Sequence, residues 1–345
     1  MEPTFIVSGS TDKAIKIWSC PKKLHAFQEV GNLRPILEVL KFLNPKEVIR
    51  IARVNKQFYE ASFHSEVLTP IFRETKVLRG HNECVWSVAV PKEKPILVSS
   101  SRDSTIRLWS LATSLPIQVL KGHTGEVFSV AISNEGDFIV SGGKDKTLRV
   151  WSLASGLTTQ VLKGHSRAVR SVAISSKDEY IVSGSYDKTL RVWSLTTGEV
   201  IRVLQGHSDS VLSVAISKTD QYIVSGGMDR TVRVWSLTSG DLIRVLRGHG
   251  GAVSSVAIST TDRFAVSGSD DKTIRVWSVT SGETTQVLRG HTGPVLSIDL
   301  SNDEKYLVSG GGVRDYSIRF WNFDKAEQTQ TLRGHANNVW VVKLV

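Results

Sequence analysis

The chain has 345 residues, a formal net charge of +10 and two cysteines, Cys20 and Cys84. So few cysteines exclude a disulfide framework and favour a reducing compartment. No run of 18 apolar residues and no signal-peptide pattern occurs in the sequence, so we expect a soluble, intracellular protein of the cytoplasm or nucleus with no membrane partner.

One stretch of sequence recurs along the chain at a fixed spacing. Gly-His pairs recur every 42 residues from His81 to His291, and tryptophans keep the same period. A two-residue insertion near Gly312 lengthens the last interval to 44 residues, so that the final pair ends at His335. A period near 40, with Gly-His opening and Trp closing each unit, is typical of a β-propeller built from four-stranded blades.

Each unit predicts four β-strands and no helix. Apolar alternation in stretches such as VRSVAIS, YIVSG and TLRVWS gives three strands, and a fourth runs into the next Gly-His pair, as in VIRVLQGH. Gly-Ser or Gly-Gly followed by Asp-Lys-Thr predicts a tight turn, since these residues tolerate positive φ and form side-chain turns. The predicted fold class is therefore all-β.

The repeat pattern resembles the WD-repeat family over all of the chain except an insertion of about 49 residues. The residue after each tryptophan is Ser, or Asn322 in the last unit, where the family often has Asp. The resemblance implies a protein-interaction propeller that binds protein partners, needs no cofactor or metal and is not an enzyme.

The two ends of the chain each carry half of a blade. Trp18 lies in a copy of the second half of a unit, whereas His335 opens a unit that has no tryptophan behind it. Joining the ends restores the usual His-to-Trp spacing of 28 residues, so we expect a seven-bladed β-propeller, made of residues 1–19 and 76–345 and closed by both ends. The sheet that contains both ends should have the strands Val339–Leu344, Thr4–Gly9, Ala14–Ser19 and Lys76–Arg79.

Four residues of each unit are expected, by resemblance to the family, to form a hydrogen-bonded network. The Asp accepts a bond from the His, and the Ser links the His to the indole N–H of the Trp. The seven sets are His335, Ser8, Asp12 and Trp18; His81, Ser99, Asp103 and Trp109; His123, Ser141, Asp145 and Trp151; His165, Ser183, Asp187 and Trp193; His207, Ser225, Asp229 and Trp235; His249, Ser267, Asp271 and Trp277; and His291, Ser309, Asp315 and Trp321. A catalytic triad needs one exposed nucleophile with its own base, so seven equivalent sets indicate a structural role and no catalytic residue.

A few columns of the repeat vary, and they supply the candidate partner-binding residues. They flank the Val that starts each first strand or precede the network Asp, positions that by resemblance line the mouth of the central channel on the Gly-His face. The candidates are Trp86, Arg102, Phe128, Lys144, Arg170, Tyr186, Leu212, Met228, Leu296, Arg314 and Trp340. Aromatics beside arginines are typical of interface hot spots, and arginine forms bidentate bonds with carboxylate or phosphate. The predicted ligand is an acidic or phosphorylated peptide; the alternative is that bulky residues only plug the channel.

The positive charge does not predict nucleic-acid binding. Most of it is placed by the repeat, with one Lys or Arg two residues before each network Trp and another before most Gly-His pairs. Such a ring of cations differs from the single basic patch or stripe of a nucleic-acid-binding protein.

Residues 20–75 interrupt the first blade and predict a small α-helical insertion, because apolar residues recur there at helical spacing. The stretch ILEVLKFLNPKEVIRIARVNKQFYEAS resembles the F-box, the helical module that docks onto the Skp-type adaptor of an SCF-type (cullin-RING) ubiquitin ligase. The resemblance implies adaptor contacts by Leu33, Pro35, Ile36, Leu37 and Leu40. A helical cap that only decorates the propeller is the alternative.

Two functions follow from these predictions. In the first, the chain is a substrate receptor of an SCF-type ubiquitin ligase, whose insertion docks the adaptor while the Gly-His face binds an acidic or phosphorylated target. In the second, it is a WD-repeat scaffold for multiprotein assembly with no ligase role. The insertion interrupts the connection between third and fourth strands, so it should leave from the face opposite the Gly-His turns.

Overall fold

The computed structural model describes residues 5–19, 72–91 and 94–345. These residues form 28 β-strands, and no helix that could cross a membrane occurs among them. The first fourteen strands are β1 (Phe5–Ser10), β2 (Ala14–Ser19), β3 (Arg73–Arg79), β4 (Val85–Ala89), β5 (Ile96–Ser101), β6 (Thr105–Ser110), β7 (Pro116–Lys121), β8 (Val127–Ile132), β9 (Phe138–Gly143), β10 (Thr147–Ser152), β11 (Thr158–Lys163), β12 (Val169–Ile174), β13 (Tyr180–Ser185) and β14 (Leu190–Ser194). The others are β15 (Val200–Leu204), β16 (Val211–Ile216), β17 (Tyr222–Gly227), β18 (Val232–Ser236), β19 (Leu242–Leu246), β20 (Val253–Ile258), β21 (Phe264–Ser269), β22 (Thr273–Ser278), β23 (Thr284–Arg289), β24 (Val295–Leu300), β25 (Tyr306–Gly311), β26 (Ile318–Asn322), β27 (Glu327–Leu332) and β28 (Val339–Leu344).

The strands form seven four-stranded antiparallel sheets, which confirms the predicted all-β, seven-bladed propeller. Blade 1 has the strand order β28-β1-β2-β3, and blades 2 to 7 each contain the next four consecutive strands, starting with β4–β7. The first strands of adjacent blades contact one another around a full circle: β4, β8, β12, β16, β20, β24 and β28, which contacts β4 again. These seven strands therefore surround the central axis.

Blade 1 joins the two ends of the chain. Ser8 pairs with Val342 in the ladder between β1 and β28, and the N–H of Phe5 donates to the carbonyl of Val345 over 3.2 Å. The prediction that β28 completes this sheet is thus confirmed, with β1 one residue later than expected. A closed ring leaves no blade face exposed at a gap.

The fourth strand of blade 1 is longer than expected, because it starts at Arg73 and not at Lys76. The predicted insertion, residues 20–75, includes the first three residues of this strand. The outer strand of a blade faces solvent, and Arg73 and Glu74 are exposed, so this strand needs little apolar sequence.

The insertion itself lies, as far as residue 71, outside the described residues, together with its predicted helices and the candidate adaptor contacts Leu33, Pro35, Ile36, Leu37 and Leu40. Its two attachment points are described. Ser19 pairs with Arg73 at the end of the sheet opposite the Asp12 turn, which is the end predicted from the strand order.

The hydrophobic core lies between neighbouring blades. One cluster joins Val140, Leu148 and Leu162 of blade 3 to Trp193 of blade 4, and each blade boundary has an equivalent cluster. Six of the network tryptophans are among the largest fully buried side chains. Because the blades bury their apolar faces only against one another, the ring forms a single cooperative unit.

Serine side chains add hydrogen bonds between the innermost strands of five successive blade pairs. Each serine accepts a bond from a backbone N–H of the next blade. The pairs are Ser129 with Val172, Ser171 with Val214, Ser213 with Val256, Ser255 with Ile298 and Ser297 with Val342, at 3.0–3.1 Å. These bonds fix the position of each blade along the central axis relative to the next blade.

Candidate interaction site at the channel mouth

The four-residue network forms in every blade. In blade 4, His165 Nδ1 lies 2.7 Å from Asp187 Oδ2, His165 Nε2 lies 2.8 Å from Ser183 Oγ, and Trp193 donates to the same Oγ over 2.8 Å. Blade 1 makes the same bonds with residues from both chain ends, because His335 reaches Ser8 and Asp12 at 2.8 Å each.

Burial and hydrogen bonding shift the pKa values of several network residues. Burial by itself would raise the pKa of Asp187, but hydrogen bonds from His165 and Thr189 bring it well below its usual range. Burial lowers the pKa of His249 and His291, so these rings are neutral at pH 7. With Nδ1–H donating to Asp, the neutral ring accepts the Ser hydroxyl at Nε2, and that serine is committed to structure.

The variable residues of the inner strands lie at β-bulges. The ladder between β4 and β5 pairs Val85 with Ser101 and then Ser87 with Ser100, so Trp86 is the extra residue. Equivalent bulges occur in all seven blades and contain Trp340, Trp86, Phe128, Arg170, Leu212, Ser254 and Leu296. A bulge leaves its extra residue out of the ladder and changes the direction of its side chain. This position can therefore vary without disturbing the sheet.

Five of the predicted partner-binding residues form one cluster on blades 1 to 4. The Trp86 ring centroid lies 4.5 Å from that of Trp340 and 5.6 Å from that of Phe128, which lies 6.2 Å from the Tyr186 ring. The Arg170 guanidinium lies over both Trp86 and Phe128, 5.4 and 5.3 Å from their centroids. We call these five residues the aromatic cluster.

Arg170 is the polar centre of the aromatic cluster. Burial lowers its pKa from the usual value for arginine, while the Tyr186 hydroxyl, which is hydrogen-bonded to it, and Glu126 oppose that shift. The Trp340 N–H donates to Thr11 Oγ1 over 2.8 Å. The buried N–H of Trp86 has no acceptor among the described residues.

Two exposed cations lie next to the aromatic cluster and share one carboxylate. Lys144 Nζ is 3.1 Å and Arg102 Nε is 3.7 Å from Glu126 Oε1. Both cations are more than half exposed, whereas Glu126 is 18% exposed. With Arg170, three positive groups surround one carboxylate, which leaves an excess of positive charge on blades 2 to 4.

The remaining predicted residues belong to blades 5 and 7. Leu212 and Leu296 are half-buried bulge residues of blades 5 and 7, and Met228 is 47% exposed. Arg314 was placed in the same column as Arg102, but Gly312 holds that position, since its N–H donates to the Pro294 carbonyl. The two-residue insertion puts Arg314 on the extra turn, where it is exposed at φ 74°.

Glu126 lies in one of the variable columns that the sequence places at the channel mouth, although it is not among the predicted partner-binding residues. The structure pairs it with both Arg102 and Lys144. The available signal was its charge, because no other blade has an acidic side chain in that column. Groups of His, Cys, Asp and Glu that could hold a metal ion are absent from the described residues.

Comparisons with known proteins agree with this architecture. The family model for the WD domain, G-beta repeat, matches seven segments: residues 2–19, 72–110, 114–152, 156–194, 198–236, 240–278 and 282–322. Curated relatives include the nuclear distribution protein nudF of Aspergillus flavus, 29% identical over 32% of this chain and 24% of nudF. Subunit 5 of transcription initiation factor TFIID of Drosophila melanogaster is 33% identical over 32% of this chain and 13% of its own length.

A third relative is the WD repeat domain-containing protein 83 homolog of Dictyostelium discoideum, 29% identical over 32% of this chain and 31% of the homolog. The matched segments thus span under a third of each relative's length. The likeness concerns the repeat itself.

Proposed function

Because the chain belongs to the WD domain, G-beta repeat family, we propose that it is a protein-interaction scaffold without enzymatic activity of its own. Its Gly-His face binds an acidic or phosphorylated segment of a partner protein at the channel mouth on blades 1 to 4. The aromatic cluster supplies the contact area, and Arg102 and Lys144 supply the charge.

One observation carries this proposal: two tryptophans, a phenylalanine, a tyrosine and an arginine lie together at two of the variable columns, the bulge position and the position before the network Asp. Trp, Tyr and Arg are the residues most enriched in interface hot spots. A residue type chosen only for folding would repeat from blade to blade, as the network residues do.

The partial exposure of the aromatic cluster favours a binding surface over a plug. Phe128 is buried, whereas Trp86, Trp340, Arg170 and Tyr186 each keep part of their surface exposed. A side chain that only fills the channel would be closed on all sides. The partly exposed ring edges and the two exposed cations beside them favour a ligand that covers them.

A charge reversal tests the proposal with a matched control in the same turn. Lys144→Glu should weaken binding of a synthetic acidic peptide library and of a phosphoserine-containing library, both measured by fluorescence polarisation. Lys146→Glu, an exposed lysine two residues away, should leave binding close to that of the parent protein.

Equal losses for both variants would show that only the overall charge matters and would contradict a site at Lys144. Binding by neither library, with folding verified by circular dichroism, would also contradict the proposal. Preference for one library identifies carboxylate or phosphate as the recognised group.

The role of a ligase substrate receptor is a separate prediction, which rests on the resemblance of residues 20–75 to the F-box. We expect a Skp-type adaptor to co-purify with the full chain, and the double change Leu37→Asp and Leu40→Asp to abolish this. If the adaptor does not bind the unchanged chain, the scaffold function stands without the ligase role.

A further inference from the structure

The channel mouth has one position where the sign of the charge is reversed. Asp270 of blade 6 occupies the column of Arg102 and Lys144, and its backbone is held in the same way. Its N–H donates to the Ala252 carbonyl over 2.9 Å, as that of Lys144 donates to the Glu126 carbonyl over 2.8 Å. A carboxylate is thus presented where blades 2 and 3 present cations.

Among the residues that the structure describes, no cation is paired with Asp270. In blade 3, Glu126 is paired with Lys144 and Arg102, but blade 6 has Ala252 in the column of Glu126. The Asp270 carboxylate accepts one bond, from the Ser254 hydroxyl over 3.0 Å, and takes part in none of the ion pairs within the described residues. Its second oxygen is available to an incoming donor.

The approach to Asp270 is open. Blade 6 has Gly250 and Gly251 after the network His, where the other blades have longer side chains in at least one of these positions. Gly251 packs so closely that an added Cβ would lie 3.1 Å from the Asp270 Cβ. The absence of side chains here leaves the exposed carboxylate uncovered.

Each blade next to that of Asp270 presents an exposed apolar side chain in the turn that corresponds to the Asp270 turn. Met228 of blade 5, at the equivalent position, is 47% exposed, and Val313, on the inserted turn of blade 7, is 52% exposed. The long aliphatic stem of a lysine or arginine can pack on such groups while its charged end reaches a carboxylate.

Electrostatics also favours a cation at this position. Burial and the neighbouring Asp271 both raise the pKa of Asp270, although the bond from Ser254 lowers it, because each of the first two penalises its negative charge. A positive side chain brought next to the carboxylate removes that penalty.

We infer that Asp270, with Met228 and Val313 on the neighbouring blades, is a subsite for a lysine or arginine side chain of the bound segment. This inference rests on the proposed function, in which the acidic group of that segment lies on blades 2 and 3. Since blade 6 lies across the axis from blades 2 and 3, the segment is bipolar and crosses the channel mouth. The scaffold therefore selects a partner by the order of acidic and basic residues along the bound segment, and not by net negative charge alone.

Two positional-scanning peptide libraries test the inference on the full chain. The first scans every position and reports whether glutamate is selected, and the second keeps one glutamate fixed and scans the remaining positions. The unchanged protein should select Lys or Arg at one position set apart from the glutamate, by about two- to fivefold over Ala, the range expected for a partly exposed ion pair. Asp270→Asn should lose this selection and keep the selection for glutamate. Asp270→Lys should select Asp or Glu at the same position.

Asp209→Asn is the matched control, since Asp209 is an exposed acid on the same face of blade 5. It should keep the parent selection. If the unchanged protein selects glutamate but no basic residue anywhere, or if Asp270→Lys leaves the selection unchanged, the subsite is disproved while the proposed function stands. If glutamate itself is not selected, the result contradicts the proposed function, on which the subsite depends.

Discussion

The buried networks and the channel mouth are built on the same strands, yet they use repetition in opposite ways. The His-Ser-Asp-Trp set is the same in all seven blades, whereas the bulge residue is Trp, Phe, Arg, Leu or Ser. Network side chains contact each other inside a blade, so any change leaves a buried partner unsatisfied. The bulge residue lies outside the ladder, so its side chain can vary without disturbing the sheet.

Among the changes that test the repeated framework of the blades, deletion of residues 338–345 should have the largest effect on stability. It removes β28, the innermost strand of blade 1, and exposes the edge of β1. We expect the melting temperature to fall by about 10 °C or more, because several kcal/mol of burial and sheet pairing disappear, and 1 kcal/mol shifts a large domain by about 2–4 °C. Circular dichroism melting measures this.

The point change Lys343→Ala is the control for that deletion. It removes only a half-exposed ion pair with Asp299, 2.7 Å long, and should cost less than about 1 kcal/mol. An unchanged melting temperature after the deletion would mean that closure by β28 does not support the ring.

Within a single network, Ser183→Ala should destabilise the protein by about 1–3 kcal/mol. The change leaves both His165 Nε2 and the Trp193 N–H without their partner in a buried site. Chemical denaturation measures the difference, and Ser166→Ala, at an exposed serine of the same blade, should be nearly neutral. Equal effects for the two serines would show that the network contributes nothing to stability.

On the mouth side, Trp86→Ala should cost roughly 2 kcal/mol of ligand affinity, as hot-spot residues do, with a smaller loss of folding stability. Arg170→Lys should also weaken binding, since lysine keeps the charge but lacks the planar group that lies over Trp86 and Phe128. Calorimetric titration and melting, run on the same samples, separate affinity from stability. A variant that unfolds while its folded fraction binds normally would identify the aromatic cluster as a plug.

The same comparison explains how much could be predicted from the sequence. Period and spacing identified the repeated residues and the closure through His335, and the resemblance to the WD-repeat family implied that the repeated residues form networks. They also identified the variable columns. They could not reveal the bulges, since VRSVAIS reads as an uninterrupted strand and the extra residue appears only when the register of its partner is known.

Contacts without a repeat could not be predicted. Phe72 is buried against Phe320 of blade 7, with ring centroids 5.0 Å apart, and its backbone exchanges two hydrogen bonds with the Gln330 side chain. Nothing in the sequence around Phe72 indicates this partner, because it depends on closure of the ring. The position of Arg314 was predicted wrongly for a similar reason. Its column was assigned by its place just before Asp315, whereas the two inserted residues lie after Gly312, which occupies that column.

The smallest expected effect is a change of stability with pH, and it should concern blades 6 and 7, whose network histidines have a lowered pKa. Burial lowers the pKa of His249 and His291 in the folded protein. As the pH falls through about 6.5, the two histidines are therefore protonated in the unfolded chain before they are protonated in the folded one. Stability should therefore be complete above that value and decrease below it. The network aspartates have folded pKa values below their unfolded value of about 3.9, so their contribution is lost only in stronger acid.

Hydrogen exchange at pH 7.5 and 5.5 should show this as a modest loss of protection in blades 6 and 7. His249→Gln, which cannot take up the proton, should be less stable overall but should lose less protection in blade 6 between the two pH values. A gain of stability at pH 5.5 would mean that the Asp271 and Asp315 carboxylates, 2.7 and 2.6 Å from these rings, hold the imidazoles charged. In that case the Ser hydroxyl would accept from Nε2–H, and its own proton would have to be donated to a backbone carbonyl.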